Sequence, residues 1–153
     1  MKLYSRLYGV AGRDLIIIHG LFGMSDNWNT LGKRFSKYFR VHLIDLRNHG
    51  RSPHSSEFNY DVMSNDVFKY INDNKIIRPI VLGHSLGGKV AMNLAFSFPE
   101  LLDKMIIVDI SPRGYKTDFH QNILRKISNL DLKSFASRSE VDNALAIEIQ
   151  DIA

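Results

Sequence analysis

The chain has 153 residues, 44% hydrophobic and 24% charged, enough for one packed domain without disulfides or a structural metal. No apolar run approaches the ~20 residues of a membrane span, and the absence of cysteine excludes C-x-x-C metal and redox sites. The net charge of +4, from 20 Lys and Arg against 16 Asp and Glu, is scattered rather than gathered into the stripe that phosphate tracking needs, so nucleic acid is not an expected partner.

Met1-Lys2-Leu3-Tyr4-Ser5-Arg6 contains no continuous apolar stretch of the kind a secretory signal requires, and the expected location is cytoplasmic. Lys2 to Tyr8 are predicted to form an antiparallel lead-in strand, turning at Gly9 to Gly12. Four short apolar runs follow along the chain: Leu15-Ile16-Ile17-Ile18, Val41-His42-Leu43-Ile44, Ile80-Val81-Leu82 and Met105-Ile106-Ile107-Val108. They lack polar alternation, as in strands covered on both faces of a parallel sheet. Between them lie helical patterns. Trp28, Leu31, Phe35 and Phe39 predict one helix with Asp26 or Asn27 as its cap. Met63, Val67, Tyr70 and Ile71 predict a second, and Leu86, Val90 and Leu94 a third, ended by Pro99. This alternation predicts βαβ units in a doubly wound, mostly parallel α/β sheet.

After Pro112 the pattern becomes purely helical. Phe119, Ile123, Ile127 and Leu130 form one stripe. Val141, Leu145 and Ile149 start another, opened by Ser139-Glu140-Val141-Asp142 at capping-box spacing. The change divides the chain into a sheet-forming segment over residues 1–115 and a helical segment over 116–153.

Three motifs end the apolar runs. Gly83-His84-Ser85-Leu86-Gly87 is a G-x-S-x-G at a strand-to-helix junction, the context of a nucleophile elbow. The crowded turn needs glycine at 83 and 87 and sets Ser85 at the amino end of a helix, where the dipole favours developing negative charge. No phosphate-loop motif accompanies it. His19-Gly20-Leu21-Phe22-Gly23 supplies a turn suited to an oxyanion hole. One donor N–H is expected from Leu86 and the other from Leu21, with Phe22 as the fallback. Phe22 and, in the stripe after Pro112, Ile123 are the candidate substrate-pocket residues. Asp45-Leu46-Arg47-Asn48-His49-Gly50-Arg51-Ser52 reads as a loop-knitting motif. No residue pattern calls for a metal or another cofactor.

In this order and context, H-G-x-x-G, D-x-R-x-H-G-x-S and G-H-S-x-G-G resemble the α/β-hydrolase fold. Lys89, Val108-Asp109-Ile110-Ser111-Pro112 and Ser137-Arg138-Ser139-Glu140 resemble its branch of small bacterial carboxylesterases and acyl thioesterases. The resemblance implies a Ser-His-Asp mechanism on a small-molecule ester or thioester, with Ser85 as nucleophile. Some members place the acid where Asp109 stands and others one strand later. The family's catalytic histidine follows its last strand, and the only histidine after Ser85 is His120, at the start of a cap-like helix. The resemblance therefore makes the chain an amino-terminal portion of such a hydrolase, lacking the sheet's last strands. It implies a core over 1–115, the beginning of a helical cap over 116–153, and Met105 to Val108 on an unpaired edge with partly covered apolar faces. A non-catalytic product and a C–C bond hydrolase or perhydrolase of the same fold are the competing expectations.

Overall fold

The structure is a computed structural model and describes residues 1–114 and 119–148. The chain divides into two compact units, Met1–Pro112 and Arg113–Ala153. The first carries the sheet: β1 (Ser5–Tyr8), β2 (Arg13–Ile18), β3 (Phe39–Ile44), β4 (Ile80–His84) and β5 (Lys104–Val108), with helices α1 (Asn29–Phe35), α2 (Tyr60–Asp73) and α3 (Leu86–Ser97) in the connections. The strand order is β1-β3-β2-β4-β5. Only the β1–β3 pairing is antiparallel.

Residue alternation within β2 explains why its run is apolar throughout. Leu15 and Ile17 enter one cluster with Val41, Leu43, Ile80 and Leu82, against which Trp28, Phe35 and Phe39 pack. Ile16 and Ile18 enter the opposite cluster with Ile44, Val81, and Met63, Val67 and Ile71 of α2 and Val90, Ala91 and Leu94 of α3. Both faces are dry, so neither set of positions can be polar. Among the described residues β5 pairs only with β4, and Met105, Ile106 and Val108 remain exposed at the sheet's edge.

The lead-in strand is antiparallel as expected and pairs with β3, Ser5 opposite Ile44 and Tyr8 opposite Val41, because β3 and β4 already occupy both edges of β2. Two other expectations need correction. The stripe from Trp28 to Phe39 is not one helix: Ser25–Trp28 is a 3-10 turn, α1 ends at Phe35, and Phe39 opens β3. A side chain on an adjoining strand reaches the same cluster that a further helical turn would have reached. Neither Asp26 nor Asn27 caps α1. Asn27 Oδ1 accepts the Met24 N–H at 2.8 Å, and Asp26 pairs with Arg6 and Arg51.

One polar network interrupts the apolar layers. Arg40 binds Asp14 through Nε and Nη2, at 2.5 and 2.8 Å across β2 and β3. His42 Nε2 lies 2.8 Å from Asp14 Oδ1, and its Nδ1 lies 2.8 Å from the Tyr70 hydroxyl. Burial pushes His42 below the ordinary imidazole value of 6.5, outweighing the upward pull of Asp14. A neutral ring fits both bonds: Nε2–H donates to the carboxylate and Nδ1 accepts from the phenol.

The second unit contains α4 (Phe119–Ser128) and α5 (Arg138–Glu148). The capping pair of α5 sits two residues earlier than its spacing suggested. Ser137 Oγ accepts the Glu140 N–H at 3.3 Å, and Glu140 Oε2 accepts the Ala136 N–H at 2.9 Å. Ile149 lies outside the described residues.

Candidate active site

Four of the six non-glycine residues with positive φ lie just beyond the carboxyl ends of the parallel strands: Phe22 (62°), Asn48 (64°), Ser85 (49°) and Asp109 (56°). That edge is where open α/β sheets place ligands, and unusual backbone gathers where function requires it.

Ser85 occupies the single residue between β4 and α3, with φ 49° and ψ −113°. The turn is built by close approach. A Cβ on Gly83 would lie 2.3 Å from the Gly87 carbonyl oxygen, and one on Gly87 would lie 2.4 Å from Ile18 O and 2.6 Å from His19 O. The Ser85 N–H donates to Val108 O at 3.0 Å, which ties the turn to the end of β5. Because Lys89 N–H is the first to bond back, to Ser85 O at 3.2 Å, the amides of Leu86 and its neighbours begin α3 without intrahelical acceptors.

The turn after β2 faces this serine. A Cβ placed on Gly20 would sit 3.3 Å from Ser85 Cβ and 2.8 Å from His84 Nδ1, so the two loops approach closely here. The turn closes through Gly23 N–H to Gly20 O at 3.0 Å and carries Leu21 and Phe22, with Phe22 57% exposed. His19 anchors it: Nδ1–H donates to Gly20 O at 2.8 Å, and Nε2 accepts the Leu46 N–H at 3.1 Å. Burial holds His19 below 6.5 despite its bond to the Gly20 carbonyl. Its role is therefore to clamp two loops as a neutral ring.

The lowered values of His19 and His42 set a pH dependence. As pH falls through 6.5 the unfolded chain binds protons that the folded rings resist. The stability that depends on their neutrality is complete above that value and lost as pH falls toward their folded pKa values. The urea midpoint is expected to drop between about pH 7.5 and about pH 5.5, and a flat midpoint would mean that the rings take up protons as readily in the fold as in the unfolded chain.

The Asp45-to-Ser52 segment knits the neighbouring loop. Asp45 Oδ1 accepts the Ser25 N–H at 2.5 Å, and Oδ2 accepts the Arg51 N–H at 2.8 Å. Ser52 Oγ donates to Asp45 O at 2.6 Å and accepts from Tyr4 N–H at 2.9 Å. Arg47 pairs with buried Asp66 at 2.7 Å and donates to Glu57 O at 2.9 Å.

Asp109 ends β5 beside the elbow, its side chain 86% exposed and 3.9 Å from His84 Nε2. The His84 ring also lies 6.2 Å from that of Trp28. The elbow thus sends His84 toward Gly20, Trp28 and Asp109. Among the described residues no side chain hydrogen-bonds Ser85 Oγ. The structure brings together Ser85, Leu86 and the turn carrying Leu21 and Phe22, with Asp109 at the adjoining strand end. Ile123 belongs to α4 in the second unit, and its side chain lies outside the described residues.

Comparison with known proteins finds similar sequences and a similar solved structure. A diacylglycerol lipase of Danio rerio (sn-1-specific diacylglycerol lipase ABHD11) is 41% identical over 113 residues, 71% of this chain and 36% of the relative. Esterase YbfF of Escherichia coli (strain K12) is 30% identical over 126 residues, 82% of this chain and 50% of the relative. A solved marine microorganism esterase superposes with a TM-score of 0.91 at 35% identity, covering 98% of this chain and 59% of that one. The chain spans half or less of the length of these two curated relatives. Residues 15–145 match the family described as alpha/beta hydrolase fold. A match of that extent, on a sheet with this strand order and this strained serine turn, makes the chain a member of the alpha/beta hydrolase fold family.

Proposed function

We propose that the protein hydrolyses carboxylic esters or acyl thioesters through an acyl-enzyme on Ser85. The observation that carries this reading is the Ser85 backbone, held at φ 49° between β4 and α3 and facing the turn after β2. In the proposed reaction Ser85 Oγ attacks the acyl carbon while its proton passes to a histidine base. The oxyanion takes hydrogen bonds from the Leu86 and Leu21 N–H groups, Phe22 being the alternative to Leu21. Collapse expels the alcohol or thiol with a proton and leaves the acyl group on Oγ. Water repeats the attack and releases the acid.

Leu86 suits its part because its amide is among the first of α3. Asp109 is proposed as the acid, since it ends the strand whose Val108 O receives the Ser85 N–H. The base is proposed to come from outside the side chains described. Residues 1–115 are proposed as the hydrolase core and 116–153 as the start of its cap. The test is acid-quenched mass spectrometry after mixing with p-nitrophenyl butyrate. A butyryl adduct on the Ser85 peptide is expected, and an adduct confined to another residue removes the proposal.

A further inference from the structure

We propose that the hydrocarbon chain of the acyl group is held in an apolar hollow at the amino end of α2, lined by Phe58, Asn59, Tyr60, Met63 and Leu86. This inference rests on the reading of Ser85 as nucleophile. The hollow has a volume of about 340 Å³, within the range of about 300–1,000 Å³ typical of small-ligand sites.

Position is the first argument. Leu86 directly follows Ser85, and its N–H is the proposed oxyanion donor. An acyl carbonyl held there begins its chain beside the Leu86 side chain, which forms one wall.

Chemistry is the second. No charged side chain lines the hollow. The Asn59 side-chain oxygen is already engaged, accepting the Val62 N–H at 2.9 Å as the cap of α2. Met63 is 1% exposed, whereas Phe58 and Tyr60 leave 44% and 45% of their surface uncovered. Two neighbouring aromatics exposed beside a buried thioether make an apolar surface suited to an uncharged chain.

The third argument is how Phe58 reaches the hollow. Its ring lies 6.0 Å from that of His49, which lies 4.9 Å from His19. Arg47 holds the preceding Glu57 carbonyl at 2.9 Å. The loop that the Asp45 motif knits thereby delivers a pocket residue, a use its motif alone did not disclose. The acyl side is favoured over the alcohol side because the acyl group stays on Ser85 through both steps, beside a wall made by the next residue.

The test uses the 153-residue chain carrying ¹³C-methyl methionine, titrated with sodium butyrate, hexanoate and octanoate. The Met63 methyl signal is expected to shift while those of Met24 and Met105 stay. Affinity should rise by up to about fourfold per added methylene. Ser85→Ala should preserve the response, and Phe58→Ala and Tyr60→Ala, at exposed positions, should each weaken octanoate by roughly fivefold or more. A silent Met63, or an affinity flat from butyrate to octanoate, overturns the hollow whatever Ser85 does with p-nitrophenyl butyrate. Response to 1-hexanol and 1-octanol but not to the carboxylates assigns the hollow to the alcohol side and overturns the acyl assignment. A Met63 response with a butyryl adduct confined to a residue other than Ser85 removes the nucleophile reading and retains the hydrocarbon site.

Discussion

Gly87→Ala is expected to destabilise the fold by about 3 kcal/mol, the upper part of the overpacking range, and to lower the melting temperature by roughly 6–12 °C. The added Cβ would meet Ile18 O at 2.4 Å and His19 O at 2.6 Å, both backbone atoms at the end of β2. A side chain can change rotamer, but a carbonyl in a paired strand cannot, so relief requires α3 to lift from the sheet. That movement would carry Ser85 away from the Gly20 turn, and reactivity should fall together with stability. Gly83→Ala meets the Gly87 carbonyl at 2.3 Å and should behave likewise, whereas Gly114, with nothing within 4 Å, provides the control. Thermal melts of the three variants decide the point. Unchanged melting of Gly87→Ala would show that the elbow is looser than its geometry implies.

In protein that carries its histidine base, Ser85→Ala should lower the rate of covalent labelling by a fluorophosphonate by at least about a thousandfold, the order expected when a nucleophile is removed. The fold should survive, because among the described residues Ser85 makes no side-chain hydrogen bond and alanine keeps the same backbone path. Labelling is the informative measurement because it reports the nucleophile before any deacylation step. Ser85→Cys, the single thiol in a chain without cysteine, should gain labelling by thiol-directed reagents. A Ser85→Ala protein labelled as fast as the parent would move the nucleophile elsewhere and undo the assignment of Leu21 and Leu86 as oxyanion donors.

Much of the framework was legible from one dimension. Leu15 to Ile18 had to be covered on both sides because no polar residue alternates with them, and the two clusters flanking β2 supply that cover. Pro99 stopped α3 close behind Ser97 because proline offers no amide. Phe39 misled because a residue spaced by four beyond a helix can sit on an adjoining strand and still enter the same cluster. The capping pair of α5 misled because several Ser and Glu residues near one helix start offer overlapping spacings. Phe58, Tyr60 and Met63 went unnoticed as pocket residues, since no local pattern separates a pocket aromatic from a packing one.

The sequence by itself determined the strands, their parallel character and the identity of the serine turn. Each depends on local rules: which residues tolerate burial on two faces, and which backbone only glycine permits. Tertiary structure alone decided that β1 pairs with β3, that His19 bridges Gly20 to Leu46, and that Phe58 and Leu86 line one hollow. Those relations join residues far apart along the chain. Their partners are selected by which edges and atoms remain unoccupied once the sheet has closed, and that information exists in no single segment.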